Sequence, residues 1–212
     1  MRRQAFLSAV LALAAAGFCG GVATAKPVKQ ALIPFSTTIQ PLKETTAPTG
    51  WTEFCARYAG ECDTQTMPAR DLVFDANNWR LLNKINDEVN DEIEPITDQD
   101  HWGVVERWDY PTDGKGDCED FVLEKRRRLI AAGLPRQALL ISVVRDRKGD
   151  GHAVLLVKTD RGDYVLDNQA ATILPWTETG YGFVKRQSEE NPNKWVALGE
   201  PRPNLVAVGN PR

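Results

Sequence analysis

The sequence predicts an α+β fold in which a helix packs on an antiparallel β-meander. Apolar residues recur at steps of three and four in two segments near the middle of the chain, a spacing typical of amphipathic helices. After residue 139 the period changes to two, and short strands alternate with turns that contain Gly. With 212 residues, 26% of them charged and 42% hydrophobic, the chain can build one sizeable core.

Charge and composition argue against two classes of protein. A net charge of −3 gives no indication of the basic surface that nucleic acid requires, so we expect no nucleic acid among the partners. Two His and four Cys are too few for a zinc module built on paired Cys and His ligands.

Residues 1–25 have the features of a secretory signal peptide. A basic start is followed by an apolar stretch from Ala5 to Phe18, and the small residues Ala23 and Ala25 predict cleavage after Ala25. The alternative is a membrane anchor, but the stretch is shorter than the roughly 20 residues that span a bilayer. We therefore expect a periplasmic or secreted mature chain that keeps no transmembrane segment.

The mature chain is predicted to begin with a lead-in and to continue as one domain. Residues 26–50 are rich in Pro and Thr and show no clear period, which indicates an extended or loosely packed segment. Residues 51–212 contain every predicted helix and strand, and no linker divides them.

Three Cys remain after signal removal, and the compartment is oxidising. Cys55 and Cys62 lie seven residues apart and can close a small loop, for which the chain-entropy argument gives about 2.5 kcal/mol. Cys118 then has no partner. A lone thiol in an oxidising compartment is a liability unless it is buried or used.

The first amphipathic segment predicts a helix over residues 71–93 that ends before Pro95. One face is apolar and carries Trp79, Leu82, Ile85, Val89 and Ile93. The other face is polar, and we interpret it as a solvated surface. Its residues are Asn83, Lys84, Asp87, Asn90 and Asp91.

The second helix is predicted to begin at Asp117 or Cys118, after a loop over residues 101–115. Asp117 is a favourable N-cap, and Glu119 and Asp120 lie in the first turn, where acidic residues favour the helix dipole. Gly133, with Pro135 behind it, ends the helix. Strands follow over residues 139–144, 153–157 and 164–167, and the tail is expected to add one or two more.

A nucleophile, a base and a carboxylate occupy suitable positions in this arrangement. A helix N-terminus lowers the pKa of a thiol such as Cys118, and its free N–H groups can hold an oxyanion. The imidazole of His152 could accept the thiol proton, and Asp167 could fix the tautomer of that ring. Cys118, His152 and Asp167 are therefore the candidate catalytic residues.

The strand register decides whether the base and the carboxylate can meet. A turn centred on residues 160–161 pairs His152 with Gln169 and makes Asp167 its diagonal neighbour, with Cβ atoms roughly 7–8 Å apart. A slip of one residue would turn Asp167 to the opposite face. Gly162 would also suit a bulged three-residue loop, so both registers stay open at this point.

His101 is the alternative base. It lies upstream in a loop with Asp98 and Asp100 beside it, and nothing in the sequence places it opposite Cys118.

The acidic residues around Cys118 require an explanation. Asp117, Glu119 and Asp120 flank the thiol, and a like charge disfavours a thiolate. A divalent cation would offset these charges, and Ca²⁺ binds carboxylate and carbonyl oxygens. The alternative is that the acids only cap the helix.

Three stretches of the sequence resemble one known family. They are Gly116-Asp117-Cys118-Glu119-Asp120-Phe121, Gly151-His152-Ala153-Val154-Leu155 and Val165-Leu166-Asp167-Asn168. Trp108, the Pro111 loop and the Cys55/Cys62 pair are similar as well. From about residue 51 to residue 195 the chain thus resembles the bacterial transglutaminase-like cysteine peptidases, whose best-known members are the LapG-type periplasmic proteases.

The resemblance implies a papain/transglutaminase-like fold with Cys118 as nucleophile, His152 as general base and acid, and Asp167 as the orienting residue. It also implies that Asp117 and Glu119, and less directly Asp120, bind a calcium ion on which activity depends. LapG-type members cleave a large surface adhesin near its N-terminus and release it from the cell. An inner-membrane receptor for cyclic-di-GMP sequesters them.

The residues and the resemblance together predict a periplasmic, calcium-dependent cysteine endopeptidase that controls attachment and biofilm by cleaving an adhesin. The backbone N–H at the helix start would hold the oxyanion, and Trp108 is a candidate for the second donor. One alternative is a transglutaminase or deamidase that acts on Gln side chains with the same triad. The other is a non-catalytic periplasmic calcium-binding interaction module.

Overall fold

A computed structural model describes residues 35–62 and 65–199, and the predicted signal peptide lies outside them. The described part of the chain contains five α-helices, which are α1 (Thr49–Arg57), α2 (Ala59–Cys62), α3 (Ala76–Glu92), α4 (Asp98–Trp102) and α5 (Cys118–Ala131). Its strands are β1 (Pro41–Thr45), β2 (Glu94–Pro95), β3 (Lys115–Gly116), β4 (Leu139–Arg145), β5 (Gly151–Thr159), β6 (Gly162–Leu166), β7 (Leu174–Pro175), β8 (Gly182–Gln187) and β9 (Trp195–Leu198). Short 3-10 helices cover Arg136–Ala138 and Trp176–Glu178.

Seven strands form one antiparallel sheet in the order β1-β9-β8-β4-β5-β6-β7, and β2 and β3 form a small parallel pair. The predicted α+β fold with its meander is confirmed, because β4, β5 and β6 are consecutive neighbours and α5 packs on β5. The tail adds three strands instead of one or two, since the two-residue β7 gives no recognisable alternation.

Strand β5 lies at the centre of the molecule. From His152 to Thr159 every side chain is buried, because the core of the sheet covers one face and α5 and its neighbours cover the other. Such a strand shows no polar alternation. One buried apolar cluster of the sheet consists of Ile39, Leu140, Val144, Val154, Leu156, Val165, Tyr181, Phe183 and Leu198.

The sheet is strongly curved, because the segment before β1 reaches β6 on the far side. The amide of Asp163 donates to the carbonyl of Thr37 (2.9 Å), and Pro41 pairs with Leu198 of β9. In a flat sheet β1 and β6 would be about 24 Å apart, whereas four residues span at most about 14 Å. The segment therefore closes the sheet upon itself. It belongs to the residues that the sequence indicated as a lead-in.

Close contact at this seam requires glycine at one position. Gly162 has φ +103°, and a Cβ there would lie 2.5 Å from the carbonyl carbon of Ser36. Ser36 Oγ donates to the carbonyl of Asp163, and the amide of Ile39 donates to Asp163 Oδ2 (2.8 Å). The seam is thus fixed by both backbone and side-chain hydrogen bonds.

Helix α3 begins five residues later than predicted. The side chain of Asp75 accepts hydrogen bonds from the amides of Asn77 and Asn78 and so caps the helix. Leu72, inside the predicted helix, instead forms a bridge with Thr159 of β5. At the N-terminal end of the predicted helix, the pairing of Leu72 with β5 outweighs the helical periodicity of the sequence.

The predicted disulfide between Cys55 and Cys62 is present, with Cα atoms 5.5 Å apart, and it joins α1 to α2. Among the described residues Cys118 is the free cysteine, as predicted. None of the helices in residues 35–62 and 65–199 combines the length and apolar composition that crossing a bilayer would require.

Candidate active site

Cys118 is the first residue of α5, which is where the sequence predicts the helix to begin. Asp117 occupies the N-cap position with extended backbone, but its side chain accepts no capping hydrogen bond. Its Oδ2 instead accepts from the amide of Asp98 in α4 (3.3 Å). Gly116 lets the chain pass close to the helix, because a Cβ there would lie 2.6 Å from the carboxylate of Asp120.

The Cys118 thiol lies between an acidic side chain and the backbone of β5. Its S–H donates to Glu119 Oε2 (3.1 Å), and the amide of Ala153 donates to the sulfur. Ala153 directly follows His152, so the start of α5 and the start of β5 are in contact at the residues that the sequence singled out.

His152 and Asp167 form a buried hydrogen-bonded pair, with 2.8 Å between Nε2 and Oδ1. Strands β5 and β6 pair Leu155 with Leu166 and Thr159 with Gly162. Continued beyond the ladder, that register sets His152 opposite Gln169, which is the register with a tight turn at residues 160–161. The bulged alternative does not occur.

Three hydrogen bonds keep the Asp167 carboxylate ionised. Burial alone would raise its pKa, but donors from His152, Tyr181 and the amide of Gln169 outweigh burial and lower that pKa below its ordinary value. Tyr181 donates through its phenolic O–H (2.6 Å), and the Gln169 amide lies 2.9 Å from Oδ1. Asn90 of α3 also donates to the backbone carbonyl of Asp167 (3.0 Å).

The second ring nitrogen of His152 faces the side chain of Gln169. The distance from Nδ1 to the Gln169 amide nitrogen is 3.3 Å. Because Nε2 donates to the ionised Asp167, Nδ1 is the nitrogen with a free electron pair. Nδ1 is therefore the atom that can accept a proton.

Gln169, Tyr181 and Asn90 were not among the predicted site residues. The register argument named Gln169 only as a pairing partner. The solvated interpretation of the polar face of α3 is wrong for Asn90, which faces Asp167, although Lys84, Asp87 and Asp91 are exposed. No sequence pattern points to Tyr181, which lies just before β8.

His101 and Trp108 have other roles in the structure. His101 is paired with Asp113 (2.8 Å) and stacks against Trp102, and none of its contacts in the described residues is with Cys118. The indole N–H of Trp108 donates to Glu106 (2.6 Å), and its ring packs against Trp51. That N–H is therefore not free to act as an oxyanion donor.

Asp117 belongs to two groups of side chains that could bind a metal ion. One contains Asp98, Asp117 and Asp120, and the other contains Asp117, Cys118 and Glu119, with candidate ligand atoms within 4.8 Å of one another in each group. Asp117 Oδ1 and Glu119 Oε1 are buried and have no hydrogen-bond partner in residues 35–62 and 65–199. Clustered carboxylate oxygens without partners suit a divalent cation. Asp98 was expected only as a neighbour of His101.

Burial and the crowding of carboxyl groups dominate the electrostatics around the thiol. Burial and the charge of Asp117 raise the pKa of Glu119 to about 10, and burial raises that of Asp120 to about 8. Burial and the adjacent Glu119 raise the pKa of the Cys118 thiol well above its ordinary value. A thiolate at this position needs positive charge nearby.

Comparison with known proteins identifies the family of the chain. Residues 42–203 match the family model described as bacterial transglutaminase-like cysteine proteinase BTLCP. No curated protein sequence matches the chain.

Among solved structures, the chain is similar to LapG of Legionella pneumophila. The EGTA-treated form is 27% identical over 57% of this chain and 71% of that one, with a TM-score of 0.48. The calcium-bound form is 26% identical over 60% of this chain and 74% of that one, with a TM-score of 0.49. The family model matches residues 42–203, which is more than half of the 212-residue chain. The chain therefore belongs to the bacterial transglutaminase-like cysteine proteinases and is a cysteine peptidase of the transglutaminase-like superfamily.

Proposed function

We propose that Cys118, His152 and Asp167 are the catalytic triad of this peptidase. The observation that carries the proposal is the buried His152–Asp167 hydrogen bond beside a thiol that accepts from the amide of Ala153. Nucleophile, base and orienting carboxylate then come from α5, β5 and the end of β6. Acyl transfer requires these three roles.

The reaction would proceed by acyl transfer to water. Nδ1 of His152 accepts the thiol proton while the sulfur attacks the peptide carbonyl, and the backbone N–H at the start of α5 stabilises the oxyanion. The imidazolium returns its proton to the leaving amine as the C–N bond breaks, which leaves a thioester. Water, deprotonated by His152, then releases the acid and restores the thiol.

Asp167 holds the ring in the productive tautomer throughout. Its charge stabilises the imidazolium, and the hydrogen bonds from Tyr181 and the Gln169 amide hold its carboxylate in place. The side-chain amide nitrogen of Gln169 lies 3.3 Å from Nδ1, the atom that would receive the thiol proton.

We propose Ca²⁺ as the metal of the acidic residues. Asp117, Asp120 and Asp98 would hold it, with Glu119 as a further ligand, because their oxygens are clustered and, within the described residues, Asp117 Oδ1 and Glu119 Oε1 have no hydrogen-bond partner. When bound, the ion would supply the positive charge that offsets these carboxylates. Ca²⁺ accepts six to eight oxygens in flexible geometry, which suits a mixed set of side chains better than the strict octahedron of Mg²⁺ does.

For the substrate we propose a protein outside the cytoplasm, with a cell-surface adhesin as the candidate that the motif resemblance suggests. Release of that adhesin would control attachment and biofilm, and an inner-membrane receptor for cyclic-di-GMP would sequester the enzyme. The proposed location is the periplasm, to which a signal peptide cleaved after Ala25 would direct the chain.

The test is to incubate the mature chain with outer-surface proteins from its own cells, with and without Ca²⁺, and to identify products by mass spectrometry. We expect new protein termini that disappear in EGTA and in the Cys118→Ala variant. Cleavage that persists in Cys118→Ala would refute the triad, and cleavage that ignores EGTA would remove the metal from the mechanism. A mass increase of 1 Da or a cross-link, instead of a cut, would indicate a deamidase or transglutaminase.

A further inference from the structure

A cavity of about 380 Å³ lies next to the proposed triad, since Asp167 is one of the residues that line it. We call it the hairpin cavity. It is bordered by the β4–β5 turn, the end of β6 and the turn before β8, and its walls include Arg147, Lys148, Asp167, Gln169, Thr179 and Tyr181. The volume is sufficient for one or two amino-acid side chains, at the lower end of the range for ligand pockets.

Gln169 links the hairpin cavity to the reacting atoms. Its side chain lines the cavity, and its amide nitrogen lies 3.3 Å from His152 Nδ1. The cavity is therefore one side chain away from the nitrogen that would accept the thiol proton. Because His152 would take the proton of Cys118, a peptide held at that thiol would lie within a few residues' length of the cavity, at about 3.3 Å per extended residue.

Two cationic side chains line the cavity. Arg147 uses Nε to donate to the carbonyl of Thr179 (2.8 Å), which anchors the guanidinium at the wall, and within the described part of the chain its terminal nitrogens remain for a ligand. Lys148 stands beside it. Asp146 opposes them in charge, but its Oδ1 accepts from the amides of Lys148 and Asp150 within the turn.

The acidic and hydroxyl groups at the base of the cavity are already occupied. Asp167 accepts from His152 and Tyr181, and Thr179 donates to the carbonyl of Trp176. A basic substrate side chain would meet two like charges at the entrance, and both carboxylates of the lining, Asp146 and Asp167, already accept hydrogen bonds within the protein. An acidic one would meet an anchored guanidinium, which binds carboxylates in bidentate geometry.

We infer that the hairpin cavity is a specificity subsite that takes a Glu or Asp side chain of the substrate, within a few residues of the scissile bond. The inference rests on the proposed triad and adds the chemistry of the substrate. Arg147 is the specificity-determining residue, and Lys148 adds to the positive charge.

The experiment uses the mature chain with Ca²⁺ and a peptide library made by digesting a whole proteome. Mass spectrometry of the new termini gives the residue preference at each position around the cut. We expect Glu and Asp to be enriched at one position near the cut. Matched synthetic peptides with Glu, Gln or Lys at that position should differ in kcat/KM, with Glu about tenfold above Gln, the effect of one charge-assisted hydrogen bond.

The variant that tests the subsite is Arg147→Glu with Lys148→Glu, and the matched control is Arg80→Glu with Lys84→Glu on the exposed face of α3. Both carry the same charge change. We expect the Glu-to-Lys preference to reverse in the cavity variant and to persist in the control. Because the preference is a ratio within each variant, a general loss of stability does not affect it.

Each of the remaining outcomes would contradict one part of the inference. Cleavage without an acidic preference, or an acidic preference that survives in the cavity variant, would overturn the subsite and leave the triad standing. An equal loss of preference in the control would mean that overall charge, not the cavity, selects the substrate. Cleavage of no peptide by the wild-type chain, with Cys118 inert to iodoacetamide, would overturn the triad and the subsite together.

Discussion

The phenolic O–H of Tyr181 donates to Oδ2 of Asp167, and the other oxygen of that carboxylate accepts from His152. Tyr181 belongs to the turn before β8, so a residue outside the meander fixes the orientation of the carboxylate. The rings of Tyr181 and His152 also pack edge to face, with centroids 5.8 Å apart. Tyr181 is thus positioned to support both residues of the proposed pair.

Tyr181→Phe should lower kcat about tenfold and leave the fold intact, because it removes one hydrogen bond to a charged group and keeps the ring. With one donor fewer, the pKa of Asp167 should rise toward its ordinary value. The measurement is kcat against pH, together with the thermal midpoint. An unchanged kcat would assign Tyr181 to packing alone.

Asp167→Asn should lower kcat by about 10³–10⁴, because the amide favours the wrong ring tautomer and cannot stabilise the imidazolium. The rate of Cys118 alkylation by iodoacetamide should fall in parallel, since the thiol loses its proton acceptor. Asp91→Asn, on the exposed face of α3, is the control. If Cys118 were alkylated at the wild-type rate in Asp167→Asn, Asp167 would have no part in activating the thiol.

Lys125→Met should stabilise the protein by at least about 1 kcal/mol at pH 7. The Lys125 side chain is fully buried and its Nζ has no hydrogen-bond partner among the described residues. Burial lowers its pKa to about 7, against the opposing charges of Asp167 and Asp87.

The gain should depend on pH in a defined direction. A lysine with a lowered folded pKa costs stability increasingly as the pH falls from its unfolded value near 10.4 to the folded value near 7. Urea unfolding should therefore show a larger gain for Lys125→Met at pH 7 than at pH 10. Lys84→Met, at an exposed position, should show neither effect. A loss of stability in Lys125→Met would indicate that interactions in the folded protein stabilise the Lys125 ammonium group.

In EGTA, the protein should lose stability as the pH rises from about 4 to about 8. Burial raises the pKa of Asp98 to about 6 and that of Asp120 to about 8, above the unfolded value near 3.9. Such groups favour the folded state below their unfolded pKa, and that contribution is lost as the pH passes their folded pKa.

Ca²⁺ should reverse this loss by pairing with the ionised carboxylates. The increase in Tm on adding Ca²⁺ should be larger at pH 8 than at pH 5, measured by differential scanning fluorimetry. Asp98→Asn should flatten the pH dependence in EGTA, whereas Asp91→Asn should not. An equal shift at both pH values would place the ion away from these residues.

Local signals in the sequence predict much of this structure. The strands of the meander begin and end within two residues of the predicted positions, because alternation and Gly-containing turns are local. The same holds for the start of α5 at Cys118. The His152–Asp167 contact could be anticipated as one of two registers, since a tight turn at residues 160–161 brings the two side chains to one face.

Contacts that depend on distant segments could not be predicted. Asp98 joins Asp117 because α4 folds back against the start of α5, and Tyr181 reaches Asp167 only once β8 is paired with β4. No local periodicity in the sequence indicates either of these two contacts. The late start of α3 is different, because Asp75 is an N-cap that the sequence displays and the apolar periodicity obscured.

The seam between Ser36 and Asp163 joins residues 127 positions apart in the chain. Contacts of such long range form late, because the entropy of closing the loop is lost before the contact contributes. During synthesis Ser36 emerges long before Asp163, so the barrel-like closure must wait for most of the polypeptide. Any restraint on the segment around Ser36 would therefore leave the sheet open until that segment is free to reach Asp163.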